Sequence, residues 1–193
     1  MLDLLFAFVS KYVILTEEEK NAIRTLDNFR FYPKGSILLK EGQFSSDSYF
    51  VIKGCLRTYY VLEGEEKTTA FYTEMEALNP FCVIQKTASE YYISCVEDSL
   101  LGISNPEMEF AMFAKFPKFE TLCRLLSEEQ LAKQQIEFDS FKTSSPEQRY
   151  LHLLQNRPDL IQRVPQHQLA SFLGIKPQSL SRLRSRIMEK NKR

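Results

Sequence analysis

Short runs of β-branched and aromatic residues alternate with turn residues through the first half of the chain. Glycine-containing turns at 33–35, 41–42 and 53–54 separate the first runs. The predicted strands are 29–32, 36–40, 48–52, 55–61, 68–73, 81–84, 91–96 and 99–104. Because no helical pattern lies between them, eight strands at this spacing predict an antiparallel jelly-roll barrel rather than a βαβ sheet.

Helical patterns precede and follow the predicted barrel. Residues 1–15 form an apolar stretch with polar interruptions, which indicates an amphipathic packing helix. A capping box at Thr16 and Glu19 opens a second short helix. After residue 106 the pattern is helical again, and Pro117 suits the first turn of a long helix. We therefore predict an α+β protein in three parts: the barrel with its N-terminal helices (1–116), a long helix (117–141) and a C-terminal helical domain (142–193).

The C-terminal domain contains a segment, 164–187, that satisfies the requirements of two short helices crossing steeply. The first helix needs an apolar face and a small residue at the crossing, and the turn needs a residue that tolerates positive φ. Pro177 fits the first turn of the second helix. The predicted core positions of this helix-turn-helix are Leu169, Ala170, Leu173, Gly174, Ile175, Leu180 and Leu183.

The opposite face of the second helix carries hydrogen-bond donors at helical spacing. Glutamine can bond an adenine edge at two points and arginine a guanine edge, so this face suits the major groove of DNA. We expect base reading by Gln178, Ser179, Arg182 and Arg186, and phosphate contacts by Lys176, Arg184, Lys190, Lys192 and Arg193. Accordingly, Arg182→Ala is expected to weaken binding and relax the specificity at particular base pairs, and Lys192→Ala is expected to weaken binding evenly across sequences.

The charge distribution supports a nucleic-acid partner even though the net charge is zero. Residues 163–193 contain eight Lys or Arg and one Glu, which gives +7, and the other 162 residues carry 17 basic and 24 acidic side chains, which gives −7. A basic end on an acidic body is expected when one part of a chain meets phosphates. A solvated basic tail is the alternative from charge alone.

At this point the chain resembles the Crp/Fnr family of transcription regulators. The resemblance rests on residues 31–42 and 49–54, which are similar to the opening strands and glycine turns of a cyclic-nucleotide-binding barrel, and on the helix-turn-helix. It implies a homodimer that binds an inverted repeat in double-stranded DNA. It also implies that 117–141 is the dimerisation helix, with a seam at Phe119, Leu122 and Leu126, and that RNA polymerase is a further partner.

The same resemblance bears on what the barrel senses. Family members that bind a cyclic nucleotide carry a Gly-Glu pair and, about ten residues later, an arginine for the phosphate. The corresponding stretch, 73–89, has no Gly-Glu, and the arginine position falls near Ala88. Because a buried phosphate without its cation is strongly disfavoured, we expect an effector other than a cyclic nucleotide, or none. A cyclic-nucleotide or other small-molecule sensor remains the alternative.

Metal, haem and iron–sulfur chemistry find no ligand pattern in the sequence. The barrel contains no histidine, the four cysteines are widely spaced, and the first of them is Cys55. We expect no metal and no cofactor, and an enzyme on a jelly-roll scaffold is the less favoured alternative. We also expect a cytoplasmic protein without a membrane partner, because no segment has the ~20 apolar residues of a spanning helix.

Overall fold

The computed structural model describes residues 2–190, with the side chain of Lys190 excluded. Two helices precede eight strands, a short helix interrupts the strands, and six further helices follow. The elements are α1 (Leu2–Val9), α2 (Glu17–Arg24), β1 (Phe29–Tyr32), β2 (Ile37–Leu39), β3 (Ser48–Lys53), β4 (Leu56–Leu62), β5 (Glu65–Tyr72), β6 (Ala77–Leu78), α3 (Phe81–Gln85), β7 (Tyr92–Cys95), β8 (Ser99–Ser104), α4 (Pro106–Lys115), α5 (Pro117–Thr143), α6 (Pro146–Asn156), α7 (Pro158–Arg163), α8 (Gln166–Phe172) and α9 (Pro177–Lys190).

The strands form two four-stranded sheets in a jelly-roll arrangement. One sheet has the order β1-β8-β3-β6 and the other has the order β2-β7-β4-β5. In the first sheet β8 pairs antiparallel with both β1 and β3, so that Gly102 lies opposite Phe29 on one side and Phe50 on the other. The predicted α+β fold with an antiparallel jelly roll is confirmed.

One predicted strand is wrong. Residues 81–84 were expected to extend a sheet, but they lie in α3, and the short strand β6 precedes them. Pro80 stands at the N-cap of α3, and Lys86 ends the helix in the left-handed region with φ 56°. A short apolar run has no periodicity that separates a strand from one helical turn, and Pro80 favours a helix start.

The helical boundaries also differ from expectation in two places. The long helix α5 continues to Thr143, two residues beyond the predicted end, and the linker to α6 shortens to 144–145. The sequence pattern did not predict α7 as a separate helix after α6. The N-terminus of α6 is as predicted: Ser145 caps it in a capping box with Gln148, and Pro146 occupies its first turn.

Contacts divide the described chain into two compact units. The first consists of residues 1–57 and 71–133, and the second consists of 58–70 and 134–193. The outer part of the β4–β5 hairpin therefore groups with the C-terminal helices. The predicted division at residues 116 and 141 stays a prediction.

Two apolar clusters form the core of the first unit. One lies between the sheets and includes Leu39, Val51, Leu56, Ile93 and Leu101, each with no measurable exposed surface. The other packs the N-terminal helices against the start of α5 and the outward side chains of β3. Fully burying such side chains stabilises the folded state by about 1.5–3 kcal/mol each.

The predicted dimer seam lies largely inside the second of these clusters. Phe119 and Leu122 are only 5% and 7% exposed within a single chain, and Leu126 is partly buried beside them. Their apolar surface is already covered by α1 and neighbouring elements, so Phe119 and Leu122 leave little area for a second copy. On the same helix Leu131 and Phe138 are 66% and 61% exposed.

Candidate nucleic-acid interface

Helices α8 and α9 and the turn between them form a helix-turn-helix. Gly174 ends the first helix with φ 69°, a left-handed conformation that costs glycine little, and the amide of Ile175 donates to the carbonyl of Ala170 at 3.0 Å. The predicted core positions Leu169, Ala170, Leu173, Leu180 and Leu183 are at most 7% exposed, and Ile175 is half-buried. Ile187 joins them at 8% exposure. The sequence prediction did not include this last position.

The outward face of α9 presents the side chains to which the sequence assigned base reading. Gln178, Ser179, Arg182 and Arg186 are all exposed, whereas Leu180 between them is fully buried. Successive turns of one helix therefore place three different donor types on a single solvent-facing surface. Among these four side chains, Gln178, Ser179 and Arg182 have no side-chain hydrogen bond within the described chain.

Arg186 differs from the other base-reading candidates because it already has a partner. Its Nη1 lies 3.3 Å from Oε2 of Glu147 in α6. Both side chains keep solvent contact, so the pair contributes little stability and can exchange for a phosphate or a base edge.

The predicted phosphate contacts are only partly covered by the structure. Lys176 precedes α9 and is exposed, and Arg184 is half-buried on the flank of the helix. The side chain of Lys190 and all of Lys192 and Arg193 lie outside the described residues, so their roles stay predictions.

Arg149 in α6 joins three segments around the helix-turn-helix. Its Nη1 donates to the carbonyls of Phe141 at 3.1 Å and Ser144 at 3.0 Å, and its Nη2 donates to the carbonyl of Leu173 at 2.9 Å. The guanidinium also stacks on the ring of Phe141, 4.5 Å from its centroid. The side chain therefore ties the end of α5 to the end of α8. No sequence signal marks it, because its partner Leu173 is 24 residues away.

The β4–β5 hairpin holds α8 through one hydroxyl group. Oγ of Ser171 accepts from the amide of Thr68 at 2.9 Å and donates to the carbonyl of Glu66 at 2.8 Å. Both contacts lie within the second unit. Hydrogen bonds between residues more than one hundred positions apart cannot be anticipated from sequence spacing. We call this pair of contacts the hairpin clasp.

Near the hairpin clasp, the Glu65 side chain interacts electrostatically with Lys176, which precedes α9. The pKa of the Glu65 carboxyl is lowered from its ordinary value mainly by the ammonium of Lys67, and Lys176 adds a smaller favourable interaction. Lys67 and Glu65 form an exposed ion pair. The acidic hairpin and a predicted phosphate contact are therefore electrostatic neighbours.

The stretch that would hold a cyclic nucleotide lacks the expected groups and exposes two large apolar side chains, Phe81 at 59% and Ile84 at 69%. It contains β6 and α3, and Lys86 at its end is exposed. The interior beside it is filled by apolar side chains, among them Tyr49, Leu78 and Cys82. The sequence did not single out Arg57 in β4, which is buried in the first unit at 3% exposure.

Within residues 2–190, no three His, Cys, Asp or Glu side chains are grouped so that they could hold a metal ion. In the same part of the chain, no helix has the length and apolar character needed to span a membrane.

Comparison with protein families identifies the barrel. The model of the cyclic nucleotide-binding domain matches residues 29–112, which run from β1 into α4. No curated protein matches the whole chain by sequence at a significant level.

Solved structures with the same fold extend the likeness to nearly the whole chain. The c-di-GMP responsive global regulator CLP of Xanthomonas campestris superposes with a TM-score of 0.70 at 15% identity, over 91% of this chain and 93% of that one. FixK2 of Bradyrhizobium japonicum gives 0.67 at 13% identity, over 84% and 85%. The catabolite activator protein of Thermus thermophilus gives 0.53 at 21% identity, over 92% and 85%. Residues 29–112 therefore match the cyclic nucleotide-binding domain, and the chain has the fold of these solved regulators.

Proposed function

We propose that this protein is a DNA-binding transcription regulator of Crp/Fnr type. The observation that carries the proposal is the amphipathic division of α9. Leu180, Leu183 and Ile187 hold the helix against its own unit, and Gln178 and Arg182 face solvent with their donors unused. An exposed helix with this arrangement, in the second position of a helix-turn-helix, suits insertion into the major groove.

The roles on this helix follow from the chemistry of the side chains. Gln178 can bond an adenine edge and Arg182 a guanine edge at two points, each for about 1–3 kcal/mol of discrimination. Ser179 can bond either type of base. Lys176 and Arg184 are assigned to phosphates, which supply affinity without sequence information. Arg186 can contact DNA only after its ion pair with Glu147 breaks, so we expect it to contribute less than Arg182 to base discrimination.

We further propose that the protein binds an inverted repeat as a homodimer. The first half of α5 packs within its own chain, so the contact between copies is assigned to the second half. Leu131 and Phe138 are seven residues apart, which is two helical turns, and both are well exposed. Burial of these side chains against a second copy would remove a large apolar surface from water. A further contact with RNA polymerase stays a prediction.

The effector of this regulator, as we propose it, is not a cyclic nucleotide. One observation favours the alternative, since residues 29–112 match the cyclic nucleotide-binding domain. Against it, the stretch 73–89 lacks the Gly-Glu pair and the arginine, and its Lys86 is exposed. If the alternative were correct, cyclic AMP or cyclic GMP would change the affinity of the protein for its selected DNA.

Selection of bound duplexes from a random DNA pool tests the proposed function. We expect an inverted repeat whose half-sites are separated by about one helical turn, because two recognition helices related by a two-fold axis meet one face of the duplex. Enrichment of a single half-site would contradict dimeric binding but would still support sequence-specific DNA binding. Failure to enrich any sequence would contradict both.

The dependence of affinity on salt separates DNA binding from a helix-turn-helix that binds protein. Each neutralised phosphate adds about −0.9 to the slope of log affinity against log salt. We therefore expect affinity for the selected duplex to fall steeply with added KCl, and Lys176→Ala to make that slope shallower by about one. An affinity for duplex DNA that does not change with salt concentration would contradict the proposal.

A further inference from the structure

A cavity of about 490 Å³ lies in the first unit, outside the barrel interior. Its floor is the outer face of the sheet, where Phe29 and Phe50 flank Gly102. Helix α4 contributes Met112 to one wall, and α5 contributes Leu126 to the other. Every lining residue belongs to the first unit.

The cavity is open to solvent, and its size and lining are those of small-molecule sites. Pockets for small molecules span about 300–1,000 Å³ and are lined mainly by apolar and aromatic groups. Met108 and Met112 add flexible thioether side chains, which adapt to irregular ligands. An apolar ligand would displace water molecules that can form few hydrogen bonds with such a lining.

The mouth of the cavity carries an acidic group without a cationic partner. Oε1 of Glu109 accepts a hydrogen bond from Oγ of Ser104 at 2.7 Å, and no Lys or Arg lies within ion-pair distance among the described residues. Glu120 and Arg124 also line the cavity, and Arg124 forms an exposed ion pair with Glu128 at 2.6 Å. The charged side chains of the lining, Glu109, Glu120 and Arg124, therefore sum to a net negative charge.

Cys123 lines the same cavity. The Cys123 side chain is exposed to solvent, yet the surrounding atoms and, in smaller part, the carboxylate of Glu109 raise the pKa of its thiol to about 11. Both causes disfavour a second negative charge at this place. A ligand carboxylate would meet the same penalty.

We propose that the cavity binds a small molecule with an apolar body and a hydrogen-bond-donating end, such as a hydroxyl or an ammonium group, that faces Glu109. The apolar body lies between Phe50 and Leu126, and Glu109 accepts a hydrogen bond from the polar end. Acyl carboxylates are selected against. The assignment does not depend on DNA binding, because it uses no residue of the second unit.

Binding of the neutral fluorophore N-phenyl-1-naphthylamine to the full chain tests the proposal. We expect a saturable rise in emission with the wild-type protein. Cys123→Trp places a large side chain in the mouth and is expected to abolish the rise. Thr121→Trp is the matched control, because Thr121 is exposed on the same helix and does not line the cavity. Circular dichroism and thermal unfolding establish that both variants fold.

Displacement of the fluorophore by ligands of one chain length then tests the head group. Decan-1-ol and decylammonium are expected to compete, and decanoate is expected to compete least. Glu109→Gln keeps the acceptor for Ser104 and removes the charge. In this variant the affinity for decylammonium should fall by about two- to fivefold, and the affinity for decanoate should rise by a similar factor. The affinity for decan-1-ol should not change.

Three results would overturn the proposal. The first is the absence of saturable fluorophore binding, or its equal loss in Cys123→Trp and Thr121→Trp. The second is preferential binding of decanoate. The third is disappearance of fluorophore binding as the protein self-associates with rising concentration, which would make the cavity part of an interface between copies.

Discussion

Single side chains outside the helix-turn-helix determine how it is held. The guanidinium of Arg149 supplies donors to three carbonyls that the ends of α5 and α8 leave open. A helix end without such partners leaves polar groups unsatisfied, at a cost of about 1–3 kcal/mol when they are buried. A side chain outside the helix-turn-helix can therefore control the geometry of its two helices.

Replacement of Arg149 should destabilise the second unit. We expect Arg149→Met to lower the free energy of unfolding by about 2 kcal/mol, since methionine keeps much of the apolar stem and removes all three donors. Urea unfolding followed by circular dichroism measures the change. Arg182→Met is the control, because that guanidinium is exposed and makes no hydrogen bond within the described chain. Equal stability of the two variants would show that the contacts of Arg149 contribute nothing.

Gly174 offers a second residue-scale test, with a matched control in the same unit. Its φ is 69°, and an added Cβ would lie 3.3 Å from Cζ of Phe141. Gly64 has φ 79° and open space around it. Left-handed backbone costs a residue with a Cβ about 1–2 kcal/mol. Gly64→Ala should therefore lower the free energy of unfolding by about that amount, as measured by thermal unfolding. Gly174→Ala should lower it by more.

At the scale of elements, the hairpin clasp joins β5 to the first helix of the motif. Ser171→Ala removes the acceptor for the buried amide of Thr68 and the donor to Glu66. We expect faster hydrogen exchange at the Thr68 amide, measured by NMR, with exchange in α9 unchanged. Ser185→Ala is the control, because its hydroxyl bonds only to the Ser181 carbonyl in its own helix. Unchanged exchange at Thr68 would mean that the clasp is open in solution.

The contact between the segment after α1 and α5 should depend on pH. The hydroxyl of Tyr12 donates to Oε2 of Glu129 at 2.5 Å, which raises the pKa of Tyr12 to about 12 and, together with Lys133, lowers the pKa of Glu129. A lowered carboxyl pKa gives stability that is present above the unfolded-state value, about 4.3, and is lost as pH falls through the folded-state value. The raised tyrosine pKa gives stability that is lost as pH rises from about 10 towards the folded-state value.

Tyr12→Phe measures this contact directly. The variant should be less stable than the wild type near pH 7, and the difference should shrink as the pH falls from the unfolded-state value, about 4.3, through the lowered pKa of Glu129. Urea unfolding at each pH gives the two free energies. A difference that is constant over this range would show that the hydrogen bond to Glu129 is not the cause. Val13→Ala serves as a control, because it alters the same segment and removes only apolar atoms that pack against the second apolar cluster.

How far the sequence predicts these elements depends on the range of the interactions. Periodicity and local capping are short-range, so the strands from β1 to β5, the start of α6 and the turn at Gly174 could be predicted. The run 81–84 was ambiguous because four apolar residues fit either structure. The seam at Phe119 and Leu122 was implied by the family resemblance, which cannot show that α1 packs against the same residues in this chain. The hairpin clasp and the contacts of Arg149 join distant residues, and no local pattern encodes them.

On the scale of the whole molecule, charge is distributed in a way that suits a dimer on DNA. The last 31 residues carry +7 and the remainder −7, so phosphates attract one end of the chain and repel the rest. Self-association through α5 would bring two such basic ends together. We expect Leu131→Glu to shift the protein towards the monomer in analytical ultracentrifugation, because it places like charges on an apolar contact. Thr121→Glu, at an exposed position in the first half of the same helix, should leave the mass unchanged.

The central claim is that the outward face of α9 reads base edges. The most direct measurement is the affinity of Arg182→Ala for the selected duplex and for every single-base-pair variant of it, beside the same profile for Lys176→Ala. We predict that Arg182→Ala loses discrimination at one base pair in each half-site, by about 1–3 kcal/mol, and that Lys176→Ala weakens all duplexes equally. Identical profiles for the two variants would contradict the claim.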